Sequence, residues 1–255
     1  MKVVILAGGL GTRLSEETDL RPKPMVTIGG QPILWHIMKY YSSYGLNEFV
    51  ICAGYMSHII KQFFAHNFVY SSDFTIDLQT NEMSVLHKKA EPWKVTVIDT
   101  GLHTQTGGRI KRICELLDET FCLTYGDGLC DVDIKALLAL HKSSSALATL
   151  TAVNPPARFG ALTLEENSVV EFLEKPANTN TWINGGFFVC EPEVMNLIDE
   201  DNTIWERQPL QNLAQSGKLQ AHKHKGFWAA MDTLRDRRYL EDLWARDQAP
   251  WKKWV

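Results

Sequence analysis

At 255 residues, 45% of them apolar and 22% charged, the chain has an ordinary soluble composition and enough length to bury a sizeable core. The formal net charge of −4 gives no basic field for nucleic acid, so any anionic ligand must be held by local cations. No apolar run reaches the roughly 20 residues of a membrane span, and the apolar segment of MKVVILAGG is short and carries phosphate-loop residues, so a signal peptide is not expected. Five cysteines without a C-x-x-C pair read as reduced core residues of a cytoplasmic protein with no membrane partner.

Val3-Val4-Ile5-Leu6 is a continuous apolar run and reads as a fully buried strand. It empties into Gly8, Gly9 and Gly11, where successive N–H groups can form an anion-binding nest. Pro32 is placed to open a helix whose apolar residues run from Ile33 to Tyr44, with Gly45 as its stop. A second strand at Phe49–Ala53 follows, then a helix capped by Ser57. This alternation predicts a parallel sheet with right-handed crossovers.

Between about residues 67 and 92 two alternating stretches, Phe74–Leu78 and Met83–His87, predict a hairpin inserted at the sheet edge. The parallel pattern resumes with strands at Val95–Asp99 and Phe121–Tyr125, a helix carrying Ile110–Leu117 between them, a helix near Ile134–Lys142 and a strand at Leu147–Val153. From about residue 155 the texture changes. An antiparallel pair is expected at Phe159–Leu164 and Val169–Leu173, then a Gly-broken strand at Trp182–Val189, two helices, a strand at Leu219–Lys223 and a helix opening at Thr233. The expected fold is one α/β domain over 1–255, a Rossmann-like, mixed but mainly parallel sheet flanked by helices, with a small β insertion and a second half that completes the sheet.

In such sheets ligands bind beyond the carboxyl ends of the strands. Four groups lie there: the Gly8–Arg13 loop, Thr106–Arg109 after Gly101, Gly126-Asp127-Gly128, and Met231-Asp232-Thr233. Arg13 offers a planar fork for phosphate, and Lys23, boxed by Pro22 and Pro24, a point charge. The loop is neither a P-loop, since no Lys follows Gly11, nor a dinucleotide fingerprint, which needs glycine where Leu14 stands. Asp127, framed by glycines, can approach a metal and phosphate closely, and Asp232 can be a second carboxylate for Mg²⁺ or simply a helix cap. Glu174 and Lys175 precede Pro176, and Lys175 repeats the Lys-Pro arrangement of Lys23, suiting a second phosphate. Asn184 and Gly185 offer an amide and a close backbone to a polyol. His222 and His224 share a strand face but lack a third metal ligand, so a solvated edge is expected.

The wording L-A-G-G-x-G-T-R-L followed by P-K-P, with TYGDG, EKP, INGGFFV and GFWAAMDTLRD, resembles the sugar-phosphate nucleotidylyltransferases over nearly the whole chain. Within that family it is most similar to the branch that uses CTP and glucose 1-phosphate. The resemblance implies that Leu6, Ala7, Gly8, Gly9, Gly11, Thr12, Arg13 and Lys23 hold the nucleotide, with Thr106, Gly108 and Arg109 beside the base. It implies Mg²⁺ on Asp127 and Asp232, sugar phosphate on Lys175, and the sugar on Glu174, Asn184 and Gly185. Arg13, Lys23 and Asp127 would be the catalytic groups. It further implies a homo-oligomer and a product used in dideoxysugar synthesis for surface polysaccharides. A relative using UTP or dTTP, and an inactive sugar-nucleotide-binding regulatory subunit, are the alternatives. Cytosine has a bare N3 where uracil carries a proton, so an N–H of Gly8 or Gly108, or the Arg109 guanidinium, would favour CTP.

Overall fold

The computed structural model describes residues 1–88, 90–155, 161–165, 168–173 and 181–254. Glu174 and Lys175 lie outside the described residues. Eight strands form the main sheet: β1 (Val3–Ala7), β2 (Glu48–Ala53), β3 (Lys94–Asp99), β4 (Phe121–Tyr125), β5 (Ala148–Val153), β6 (Ile183–Asn184), β7 (Phe188–Cys190) and β8 (Leu219–His224). The β1–β2, β2–β3, β1–β4 and β5–β8 pairs are parallel, whereas β7 pairs antiparallel with both β4 and β5. The short β6 pairs antiparallel with the other end of β5, so the expected Gly-broken strand is two strands. The sheet is therefore mixed and mainly parallel, and the second half of the chain completes it.

Strand β1 is buried along its whole length because both sheet faces are covered. Val3, Ile5 and Ala7 face one core with Phe49, Ile51 and Cys122; Val4 and Leu6 face the other with Val50, Cys52 and Leu123. The first core is closed by helix α1 (Ile33–Ser42), α2 (Ser57–Ser71) and the C-terminal Trp251. The second is closed by α3 (Thr106–Lys111), Trp205 and α5 (Gln208–Gln215). Helix α4 (Ile134–Lys142) is N-capped by Asp133, whose carboxylate accepts from the N–H groups of Lys135 and Ala136. Removing most of one central side chain, as in Ile5→Ala, costs about 2–5 kcal/mol.

Several local expectations need correction. Pro32 is the N-cap of α1 rather than its first residue. Ser57 does not cap α2; left-handed Met56 (φ 48°) stands there, and the Ser57 hydroxyl donates to Asp99 Oδ2 at 2.7 Å, tying α2 to the end of β3. The helix expected at Ile110–Leu117 is α3, which starts at Thr106 and is followed by a 3-10 turn at Cys114–Leu116. Cys114 is exposed, unlike the other four cysteines, because it lies on that turn. The hairpin is present as Ser72–Asp77 paired with Glu82–Lys88, a two-stranded sheet of its own, and the later antiparallel pair as Ala161–Glu165 with Ser168–Leu173.

Sequence periodicity gave no sign of one feature that assembles the site. Gly128–Cys130 and Trp228–Ala230 pair as a two-stranded antiparallel ribbon, with Ala230 opposite Gly128. Beyond it the Met231 N–H donates to the Asp127 carbonyl at 2.9 Å. Asp127 and Asp232, 105 positions apart, are thereby brought side by side. No described helix is long and apolar enough to cross a membrane.

Candidate active site

Because β1, β2, β3 and β4 run parallel and in register, their carboxyl ends open on one edge, where a cleft of about 470 Å³ lies. The end of β1 and the loop after it form one wall, lined by Leu6, Ala7, Gly8, Gly9, Gly11, Thr12 and Arg13. Gly11 turns with φ 67°, which favours glycine, and its carbonyl accepts from the Leu14 N–H at 2.9 Å. The Gly8 carbonyl is held from behind by Arg109.

Arg109 is 4% exposed, and its guanidinium works as a clamp. Nη2 donates to the Gly8 carbonyl at 2.9 Å; Nη1 donates to the carbonyls of Ala53 and Gly101 and to the Thr100 hydroxyl, at 3.2, 2.8 and 2.7 Å. It thus fastens the ends of β1, β2 and β3 together. A Cβ at Gly8 would run into this guanidinium, so only glycine fits. Burial lowers the Arg109 pKa from the usual guanidinium value. Arg109 and Thr106 line the cleft, but Gly108 does not. Gly108 sits inside α3, where a Cβ would strike the Asp201 backbone, so its smallness serves helix packing. Thr104 and Gln105, missed in the sequence, line the cleft where Gly108 was expected.

On the cleft floor, Pro22 in extended geometry (φ −65°, ψ 148°) leads into a 3-10 turn at Lys23–Met25 and aims Lys23 inward. Its Nζ donates to Asp127 Oδ2 at 2.5 Å and to Asp232 Oδ1 at 2.7 Å, with only 10% of the side chain exposed. Arg13, whose side chain is 71% exposed, donates from Nη1 to Asp232 Oδ2 at 2.8 Å. Asp232 is not a helix cap: Thr233 caps α6 (Leu234–Ala245) through a capping box with Asp236, which leaves the Asp232 carboxylate to face the two cations. Two carboxylates converging on one ammonium already form a cation-binding pair. Among the described residues no cluster of three or more metal-ligating side chains exists. A pair nevertheless suits Mg²⁺, which takes one or two carboxylates and completes its shell with substrate phosphates and water.

The opposite wall carries Asn184 and Gly185, with Tyr125 and Trp228, neither of which was singled out from the sequence. The Trp228 indole donates to the Gly185 carbonyl at 2.8 Å, fixing the backbone there. Asn184 Nδ2 donates to the Tyr125 hydroxyl at 3.3 Å, and Asn184 Oδ1 accepts the Gly186 N–H at 2.9 Å. Tyr125 was legible in principle, since it directly precedes Gly126-Asp127 at the end of β4. Away from the cleft, His224 Nε2 lies 2.9 Å from Asp131 Oδ1, so its role is structural. No residue lining the cleft is a histidine or a cysteine, among those described.

Residues 2–233 match the family described as nucleotidyl transferase. The chain is 57% identical, over the full length of both chains, to a glucose-1-phosphate cytidylyltransferase of Salmonella typhi and to one of Salmonella typhimurium. In fold it is similar to HddC from Yersinia pseudotuberculosis, with TM-score 0.69, 24% identity and 95% and 99% of the two chains covered. It is also similar in fold to an inositol-1-phosphate CTP transferase from T. maritima, with TM-score 0.68, 16% identity and 100% and 97% covered. A mixed sheet with the Gly8 loop, Lys23 and the Asp127–Asp232 pair at its carboxyl edge thus goes with 57% identity over the full length to two such enzymes: the chain belongs to the nucleotidyl transferase family, in its glucose-1-phosphate cytidylyltransferase branch.

Proposed function

We propose that this protein transfers the cytidylyl group of CTP to α-D-glucose 1-phosphate, giving CDP-glucose and pyrophosphate. The observation that carries the reading is the meeting of Asp127 and Asp232 on the buried Lys23 ammonium, beside a Gly-rich loop, in a chain of this likeness. The choice of CTP and glucose 1-phosphate rests on the Salmonella relatives.

A phosphate oxygen of the sugar phosphate attacks the α-phosphorus of CTP in line, and the bond to the bridging oxygen of the β-phosphate breaks. The nucleophile needs no protein base, because a phosphate monoester's second pKa is about 6 and it is largely dianionic at neutral pH. This fits a cleft whose described lining has no histidine or cysteine. Catalysis is then positioning and charge neutralisation. Lys23 and Arg13 now neutralise the two aspartates; with substrates bound we assign both cations to the triphosphate. Asp127 and Asp232 would hold Mg²⁺, which supplies charge neutralisation at the phosphates when bound. Lys175 is assigned to the sugar phosphate, and Glu174, Asn184 and Gly185 to the sugar. We assign the reading of cytosine to backbone N–H groups of the Gly8 loop, since both Arg109 terminal nitrogens are spent on the strand ends. Four buried free cysteines suit a reducing cytoplasm, and a homo-oligomer is expected from the resemblance.

Pyrophosphate release over a panel of nucleoside triphosphates and sugar 1-phosphates tests the reading. The highest kcat/KM should belong to CTP with glucose 1-phosphate. Equal values for UTP and CTP would overturn the nucleotide assignment, and no turnover with any pair would point to a regulatory binding subunit.

A further inference from the structure

Glu206 belongs to none of the motifs above and does not line the cleft, yet its carboxylate ties Tyr125, at the end of β4, to Thr106, at the start of α3. The Tyr125 hydroxyl donates to Glu206 Oε1 at 2.6 Å, and the Thr106 hydroxyl donates to Oε2 at 2.7 Å. Thr106 Oγ1 in turn accepts the Trp205 N–H at 2.9 Å. Trp205 is fully buried in the second core, which anchors Glu206 from the protein side.

The direction of each bond follows from the chemistry of the groups. Each carboxylate oxygen accepts from one hydroxyl, so both hydroxyls spend their single protons on Glu206. Burial, and then the neighbouring Glu206 charge, raise the Tyr125 pKa far above its ordinary value, so the phenol keeps its proton at working pH. With that proton committed, the Tyr125 oxygen can only accept from other groups, and it accepts from Asn184 Nδ2. Asn184 is fixed at its other end by the Gly186 N–H on Oδ1. Its amide therefore cannot flip without facing N–H against N–H. The wall presents one set orientation of amide donor and acceptor, beside a tyrosine oxygen that accepts.

We infer that Glu206 is a positioning residue for the acceptor sugar phosphate, setting through Tyr125 the donor–acceptor pattern that Tyr125 and Asn184 present to the sugar hydroxyls. This rests on the proposed placement of the sugar at Asn184. Glu206→Gln keeps the shape but must turn an amide N–H toward one hydroxyl, which reverses that bond. Tyr125→Phe removes the hydroxyl and keeps the ring that packs against Phe188.

The test measures KM for the sugar 1-phosphate at saturating CTP, the dissociation constant for CTP, and the melting temperature, in Glu206→Gln, Tyr125→Phe and the double variant. The ratios to wild type are taken with whichever sugar 1-phosphate the wild type uses best. A wrong sugar therefore overturns the functional reading without touching this inference. Each single variant should raise KM for the sugar phosphate about tenfold, the scale of one lost or reversed hydrogen bond. CTP affinity should stay within about twofold, and the double variant should be no worse than the single ones, because both act through the same bond. An unchanged KM in Glu206→Gln, effects that multiply in the double variant, or CTP affinity falling in parallel would each overturn the inference.

Discussion

Along the wall assigned to the nucleotide the cleft is lined mostly by backbone, whereas the wall assigned to the sugar is lined by side chains. The first wall is the Gly8 loop, fastened from behind by Arg109 to the ends of β2 and β3. The second is Asn184 on β6 and Tyr125 at the end of β4, with Glu206, outside the cleft lining, holding the Tyr125 hydroxyl. A backbone wall is rigid and tolerates no added Cβ where it is packed. A side-chain wall can be retuned one residue at a time.

Substitutions can break the comparison in order of expected effect. Asp127→Asn removes a carboxylate common to both walls and should lower kcat by at least about 10³, beyond the loss of one preorganised donor, at any Mg²⁺ concentration. A folded variant with near wild-type turnover would make Asp127 a turn residue only. Lys23→Ala should lower kcat by roughly 10²–10³, since the charge it neutralises shifts during the reaction. Lys175→Ala should instead raise KM for glucose 1-phosphate; swapped phenotypes would exchange the two phosphate assignments.

Arg109→Lys sharpens the contrast. A lysine cannot replace a fork bonded to four carbonyls and a hydroxyl, so the strand ends lose their clamp. We expect a stability loss of about 2–4 kcal/mol in denaturant titration and about a tenfold higher KM for CTP, with KM for the sugar phosphate little changed. Equal changes in both KM values would deny that the walls are separately built.

His36 lies in neither wall and serves as a control. Buried among Trp35, Trp244 and Trp251, its Nε2 donates to the Ile28 carbonyl at 2.8 Å, and burial pushes its pKa down from 6.5 to about 4. As pH falls below 6.5 the unfolded chain takes up the proton first. Stability is therefore complete above that pH and is lost on approaching pH 4, by about 3 kcal/mol from this residue. His36→Leu should flatten that part of the pH–stability curve and leave both KM values unchanged.

Much of this was legible in the sequence, for identifiable reasons. The buried strands show as apolar runs, and the Gly8 loop with Lys23 carries its chemistry in a contiguous stretch. What stayed hidden depends on contacts between distant segments. The ribbon that pairs Gly128–Cys130 with Trp228–Ala230 is too short for periodicity to show, yet it alone explains why Asp232 meets Asp127. Arg109 read as a residue opening toward the base, and only the register of β1, β2 and β3 reveals how many carbonyls converge on it. Gly108 looked like a ligand glycine, because a sequence cannot tell close approach to a substrate from close approach to Asp201.

The central claim is a single in-line transfer of the cytidylyl group from CTP to the sugar phosphate, with no residue of the protein as nucleophile. Its most direct test is the reaction of one diastereomer of CTP carrying sulfur on the α-phosphate with glucose 1-phosphate, the product's phosphorus configuration being read by ³¹P NMR. A single displacement predicts CDP-glucose inverted at that phosphorus. Retention would mean two displacements through a covalent cytidylyl-protein and would contradict the account.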